Sequence, residues 1–129
     1  MRQAYCVIVN NLIMNNYKEL NVWKEAIESS VEIYKITSSF PKTEIFGLVQ
    51  QMRRASISVS SNIAEGAGRN NKGEFRHFLG IAAASMCEVE SQVIVSSRLG
   101  FVNLDEIKTE LDRIDKIQKM IYKLIKTLK

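Results

Sequence analysis

The sequence predicts an all-α protein, an antiparallel up-down four-helix bundle. Apolar residues recur at three- and four-residue steps in four long segments, the spacing that places them on one face of a helix. Only short connections separate these segments, and the single proline lies in one of them. At 129 residues, the chain is long enough for one domain with a single core.

The first helix is predicted to begin near Tyr17 and to end before Pro41. Proline lacks a backbone amide donor and disfavours the helical conformation at the residue that precedes it. The apolar residues at helical spacing are expected to face the core, and these are Leu20, Trp23, Ile27, Val31 and Tyr34.

The second helix is predicted to follow Thr43, whose side chain is suited to an N-cap. It is expected to end near Glu65, because Gly66 and Gly68 can adopt the left-handed conformation that closes a helix. Its expected core stripe is Ile45, Leu48, Val49, Met52, Ala55, Ser56, Val59 and Ile63. Half of this stripe beyond Met52 is small, which predicts a close approach by a neighbouring helix.

Capping patterns define the third and fourth helices. An asparagine is followed three residues later by a glutamate at Asn71 and again at Asn103, a form of the capping box. Gly100 is the expected C-terminal end of the third helix. The third core stripe is Phe75, Phe78, Leu79, Ala82, Met86, Val89, Val93 and Ser96, and the fourth is Ile107, Leu111, Ile114, Ile117, Ile121, Leu124, Ile125 and Leu128.

Composition narrows the class of protein. The formal net charge of +4 suits a polyanionic partner, although only weakly. Cys6 and Cys87 have no metal-binding or redox spacing, so we expect a reduced, cytoplasmic protein without a zinc site or a disulfide framework.

Residues 1–16 are too short and too interrupted by polar residues for a membrane span. We interpret them as an N-terminal extension, with Met14 as an alternative start and residues 17–129 as the bundle domain.

No pattern in the sequence predicts catalysis. The chain has one histidine, His77, and it forms a single Glu-x-x-His pair with Glu74, whereas di-iron bundles need two such pairs. The glycine-rich turn at residues 66–73 follows a predicted helix, not the strand that a phosphate-binding loop requires. We therefore expect a non-enzymatic protein with no catalytic residue, metal, cofactor, small-molecule substrate or membrane association.

Polar rows on the second and third helices have two interpretations. Such a row is either a solvated face or, with its amides, serines and opposite charges, a subunit interface. The residues expected at such an interface are Arg54, Ser58, Asn62, Glu65 and Glu88.

Basic residues form two candidate nucleic-acid-binding groups. Four lysines of the fourth helix fall within a quarter of its circumference, and they are Lys116, Lys119, Lys123 and Lys126. A second group lies at the second helix and the turn after it, and comprises Arg53, Arg54, Arg69 and Lys72. Basic side chains can follow a phosphate backbone, but lysines also simply keep a helix surface soluble.

Several short motifs resemble a known family. They are Leu20-x-x-Trp23-x-x-Ala26, Phe40-Pro41-x-x-Glu44-x-x-Gly47-Leu48, Gln51-x-Arg53-Arg54-Ala55, Ser61-Asn62-Ile63-Ala64-Glu65-Gly66 and Glu74-Phe75-x-x-Phe78-Leu79. Together they resemble the bacterial four-helix bundle protein family, which includes proteins encoded in intervening sequences of 23S ribosomal RNA genes and sometimes called S23 ribosomal protein. The resemblance covers roughly residues 17 to 125.

The resemblance implies an up-down bundle assembled as a ring-shaped homopentamer, with no established enzymatic activity. The accessory protein of diversity-generating retroelements looks like a relative of this family, one that binds nucleic acid and a reverse transcriptase. Two hypotheses follow. The first is an oligomer that binds RNA or a ribonucleoprotein through its basic residues, and the second is a protein-interaction scaffold that does not bind nucleic acid.

Overall fold

The computed structural model describes residues 16–129, and it confirms the predicted all-α four-helix bundle. The helices are α1 (Asn21–Thr37), α2 (Gln50–Gly68), α3 (Lys72–Arg98) and α4 (Leu104–Thr127). In the order of an up-down bundle, α2 packs against α1 and α3, and α4 closes the ring by packing against α3 and α1. The expected N-terminal extension, apart from Asn16, lies outside the described residues.

All four helices contribute to one core. The large side chains that are almost completely buried are Leu20, Ile33, Met52, Ile63, Phe75, Leu79, Met86, Ile107, Ile114, Ile117 and Ile121. Burying such side chains provides the main driving force for folding.

By length and composition alone α3 would also suit a membrane span, with a mean hydropathy of 1.4 over 18 residues. Core helices commonly share that property, and α3 supplies much of this core.

The predicted core face of α1 is wrong, apart from Leu20, which is buried just before the helix begins. Val31 and Tyr34 are 44% and 41% exposed, and Trp23 and Ile27 are only partly buried. The buried face lies about a third of a turn away and carries Val22, Ala26, Ser29, Ser30, Ile33 and Ile36. The two serines are buried because each finds a partner on another helix. Ser30 Oγ donates to the carbonyl oxygen of Ser56 at 3.0 Å, and the partner of Ser29 is described below.

The start of α2 also differs from the prediction. The Thr43 side chain does not cap a helix; Pro41 precedes a short 3₁₀ turn, Lys42–Glu44, which leads into a π turn, Ile45–Val49. The backbone leaves helical geometry at Gly47, with φ −112° and ψ −108°. As a result Ile45 is exposed and is not part of the core.

The end of α2 lies three residues beyond the predicted Glu65. Asn70, with φ 55°, adopts the left-handed conformation that was expected of the glycines. Gly66 is instead buried inside the helix, where an added Cβ would lie 2.8 Å from Phe78 Cβ and 3.0 Å from Phe75 Cδ1. A glycine here lets α3 approach α2 closely, as the small residues of α2 predicted.

The predictions for α3 and α4 are confirmed. Asn71 Oδ1 accepts a hydrogen bond from the Glu74 amide at 2.9 Å, and Asn103 Oδ1 accepts one from the Glu106 amide at 2.9 Å. At Asn103 the capping box is complete, since its amide donates to Glu106 Oε1. Gly100 closes α3 with φ 81°. The predicted stripes of both helices are buried, except for the partly buried Phe78, Leu111 and Ile125.

Candidate functional site

The two neighbouring arginines of α2 have different environments. Arg53 is partly buried: its Nε donates to Thr37 Oγ1 at 2.9 Å, one of its terminal nitrogens donates to the Tyr34 carbonyl at 3.3 Å, and its guanidinium lies 4.5 Å from the centre of the Tyr34 ring. These contacts tie the C-terminal end of α1 to α2. Arg54 is exposed and forms no ion pair within residues 16–129.

Both arginines line a cleft of about 580 Å³ between the C-terminal end of α1 and the N-terminal end of α2. We call it the α1/α2 cleft. Its wall also includes Tyr34, Lys42, Phe46 and Gln50, and no carboxylate of the described chain lines it. Phe46 is 89% exposed. The cleft therefore combines positive charge with accessible aromatic rings.

A polar seam joins the outer sides of α2 and α3. Ser58 Oγ and Ser85 Oγ lie 2.9 Å apart across the two helices, and Asn62 Nδ2 donates to the Ser58 carbonyl at 2.8 Å and to Ser58 Oγ at 2.9 Å. Further along α3, Gln92 Nε2 donates to Glu88 Oε2 at 3.3 Å. Gln92 Oε1 is buried and has no hydrogen-bond partner within the described residues. The structure thus brings the predicted interface residues Ser58 and Asn62 together with Ser85.

The turn between α2 and α3 is held by Arg69. Its Nε lies 3.1 Å from Glu65 Oε2, one terminal nitrogen lies 3.6 Å from Glu74 Oε1, and its guanidinium stacks 5.1 Å from the centre of the Phe78 ring. These carboxylates offset the charge of Arg69 and place Glu65 in a contact within the chain. Lys72, by contrast, is exposed and forms no ion pair with the rest of the described chain.

Of the four lysines in the α4 row, two have a carboxylate partner and two do not. Lys116 Nζ lies 3.2 Å from Glu25 Oε2, and Lys119 Nζ lies 2.9 Å from Asp115 Oδ2. Hydrogen bonding to Asp115 raises the pKa of Lys119, which favours its charged form. Lys123 and Lys126 are exposed and have no carboxylate partner between residues 16 and 129. Only half of the row is thus without a local counter-charge.

The sequence analysis missed a buried acid between α1 and α4. Glu110 is 1% exposed; Ser29 Oγ donates to its Oε2 at 2.6 Å, and Arg113 donates to its Oε1 at 3.0 Å. Arg113 also lies 3.7 Å from Glu25, which in turn binds Lys116. A signal was present, because Glu110 falls between Ile107 and Ile114 on the predicted core stripe of α4.

Burial raises the pKa of Glu110 from 4.5 to about 7. The hydrogen bonds from Ser29 and Arg113 and the charge of Arg113 act in the opposite direction, while the negative charge of Glu32 adds to the rise. The carboxyl therefore takes up its proton at a higher pH than an exposed glutamate does, and it contacts Ser29 of α1 and Arg113 of its own helix.

The candidate sites include no evident metal centre. In the chain from Asn16 to Lys129, no three histidine, cysteine or acidic side chains form a group that could hold a metal ion. His77 is exposed, with its ring 5.5 Å from that of Phe78. Cys87 is an exposed free thiol, and Cys6 lies outside the described residues.

The fold and the surface features define a four-helix bundle protein with a cleft and a polar seam on α2 and the helices beside it. Residues 18–123 match the 23S rRNA-intervening sequence protein family. Because this segment covers most of the chain, the chain belongs to that family. The family resemblance predicted from the sequence motifs is thereby confirmed.

A solved structure confirms the fold independently. The chain resembles the crystal structure of a protein of unknown function from the S23 ribosomal protein family of Bacteroides thetaiotaomicron VPI-5482, with a TM-score of 0.73. The match covers 81% of this chain and 98% of that one at 22% sequence identity, so the likeness concerns the fold alone. No curated protein sequence matches this chain.

The raised pKa of Glu110 predicts that the free energy of unfolding depends on pH. Below pH 4.5 the carboxyl is protonated in both the folded and the unfolded chain. As the pH rises from 4.5 to 7, the unfolded chain loses this proton first, so the free energy of unfolding falls by up to about 3 kcal/mol and then levels off. Glu110→Gln removes the titration while keeping the shape of the side chain.

Urea denaturation at pH 4.5, 7 and 8 measures this effect. The variant should gain stability relative to the original protein as the pH rises, and the difference should stop growing above pH 7. Asp112→Asn removes an exposed carboxylate from the same helix and controls for the general effect of charge. A constant difference between Glu110→Gln and the original protein across this range would contradict the assigned pKa.

Proposed function

We propose that this protein is a non-enzymatic homo-oligomer that associates with RNA through basic side chains on its surface. The observation that carries the proposal is a set of exposed basic residues that no carboxylate of the described chain engages, among them Lys42, Arg54, Lys72, Lys123 and Lys126. Cations without local partners remain available to phosphates, and their binding releases condensed counterions from the nucleic acid. Five subunits are expected from the family resemblance alone.

The outer sides of α2 and α3 support the proposed self-association. Beside the seam of Ser58, Asn62 and Ser85, the exposed apolar side chain of Ile81 projects from α3 one turn before Ser85. A second subunit that covered this surface would bury apolar area and bring polar groups close to the unpaired Gln92 Oε1. Glu88, which is exposed, would supply a negative charge to such an interface, whereas we assign Arg54 to RNA and not to the interface.

The second candidate is a protein-interaction scaffold that does not bind RNA. One specific observation favours it: Arg69, Lys116 and Lys119 are already engaged by carboxylates of the same chain. A surface whose charges pair internally offers less attraction to a polyanion. The two candidates share the oligomer and differ in whether RNA binds.

The interface proposal predicts that Ile81→Lys lowers the oligomeric mass measured by light scattering. Ile81 is 37% exposed on the side of α3 near Ser85, and a lysine there would place a charge in a buried contact between subunits. Ile94→Lys is a matched control, because Ile94 is 44% exposed but lies more than a third of a turn away around α3. If Ile81→Lys leaves the mass of an oligomeric protein unchanged, the outer seam is not the interface.

The RNA proposal predicts that the two halves of the lysine row contribute unequally. Lys123→Gln with Lys126→Gln should weaken RNA binding at low salt. The double variant should also reduce the slope of log K against log salt concentration by roughly one to two units for each lysine row that contacts RNA. Lys116→Gln with Lys119→Gln removes the same formal charge from lysines already paired with carboxylates, so its effect should be smaller.

Fluorescence anisotropy with a labelled single-stranded RNA, titrated with salt, measures both variants. Equal effects of the two double variants would mean that only net charge matters and that the local pairing of the lysines is irrelevant.

A further inference from the structure

We infer that the α1/α2 cleft binds a single-stranded segment of RNA, with Phe46 stacking on a base while Arg54 and Lys42 contact phosphates. The inference rests on the proposed association with RNA, and it adds the place and the strandedness of the ligand. The sequence pointed to the two arginines, but not to the cleft or to its aromatic residues.

The charge of the cleft favours an anionic ligand. Lys42 and Arg54 are exposed and have no ion pair within the described chain, and the partly buried Arg53 adds a third positive charge. None of the acidic residues among residues 16–129 lines the wall. This separates the cleft from the turn at Arg69 and from Lys116 and Lys119, where carboxylates lie within 4 Å of the basic groups. A phosphate in the cleft would meet little local competition.

The aromatic residues favour a nucleic acid over other anions. Phe46 is 89% exposed, an unusual position for a phenylalanine, since hydration of its ring is unfavourable. Tyr34 lies on the same wall and is 41% exposed, with its ring held beneath the Arg53 guanidinium. Bases of every type can stack on such rings, whereas an acidic peptide would use the charges and leave Phe46 without a partner.

The rings also indicate an unpaired strand. The base faces of a duplex are already stacked on one another and cannot reach a protein side chain, but those of a single strand are accessible. The cleft volume of about 580 Å³ is within the range typical of pockets for small ligands, which suits a short stretch of nucleotides and not the width of a helix. Gln50, on the same wall, can donate to and accept from a base edge.

The backbone explains how an exposed phenylalanine is held at this place. Phe46 belongs to the π turn at Ile45–Val49, where the chain departs from helical geometry at Gly47 before α2 begins. The departure at Gly47 takes Phe46 off the helical path of α2, whereas Val49 is buried in the core.

Binding of labelled oligouridine by the intact protein tests the inference. Phe46→Ala should weaken binding by about tenfold, the usual scale for loss of one stacked base, and Phe46→Trp should bind at least as tightly as the original protein. Arg54→Gln should weaken binding and lower its salt dependence. Leu104→Ala, which removes another exposed apolar side chain but from the start of α4, should leave binding unchanged. An RNA duplex of equal length should bind more weakly, with no response to Phe46→Ala.

Each of the remaining outcomes contradicts either the cleft as the binding site, the association with RNA, or the nature of the ligand. If the original protein binds oligouridine but Phe46→Ala binds equally well, the cleft is not the site, and the proposed RNA association still stands. If the original protein binds no RNA at low salt, both proposals fail. If a labelled glutamate-rich peptide binds and is lost on Phe46→Ala while RNA binding is not, the cleft accepts acidic peptides and the inference is overturned. Thermal unfolding followed by circular dichroism checks that each variant is folded.

Discussion

The close packing of α2 on α3 is the constraint on which the rest of the structure depends. At Gly66 there is no room for a methyl group, because Phe75 and Phe78 occupy that space. The two helices therefore approach closely enough for Ser58 and Ser85 to contact each other directly on the outer side. Small residues that allow this approach also leave a shallow polar seam instead of a ridge of long side chains. This is the surface at which we propose contact with another copy of the chain.

The opposite side of the bundle is stabilised by different interactions. Between α1 and α4 the core includes Glu110, whose buried carboxyl is held by Ser29 and Arg113. The hydrogen bond from Ser29 joins α1 to α4 with more geometric specificity than apolar contact does, and Arg113, on α4 itself, orients the carboxyl. Burial of the acid carries a cost in desolvation. From Arg113 the network continues through Glu25 to Lys116 at the surface. Part of the basic surface is therefore used to organise the fold, which leaves a smaller set of cations without a local carboxylate.

Local signals in the sequence were sufficient for most of the fold and for little of the site. The bounds of α3 and α4 follow from Asn71, Asn103 and Gly100, whose effects act within a few residues. The buried face of α1 was missed because Ser29 and Ser30 are stabilised by partners 81 and 26 residues away, which helical periodicity does not include. The pairing of Lys116 with Glu25 spans 91 residues and was hidden for the same reason. The cleft depends on the π turn around Gly47, whose geometry no sequence pattern predicted.

The central claim is that an oligomer of this bundle binds RNA through its unpaired cations. The most direct test is the mass of the purified protein by light scattering at low salt, alone and with single-stranded RNA, repeated at high salt. The account predicts an oligomer at both salt concentrations, which gains the mass of RNA at low salt and loses it at high salt. An oligomer that never gains RNA would contradict the RNA claim and leave the scaffold, and a monomer in all conditions would contradict both.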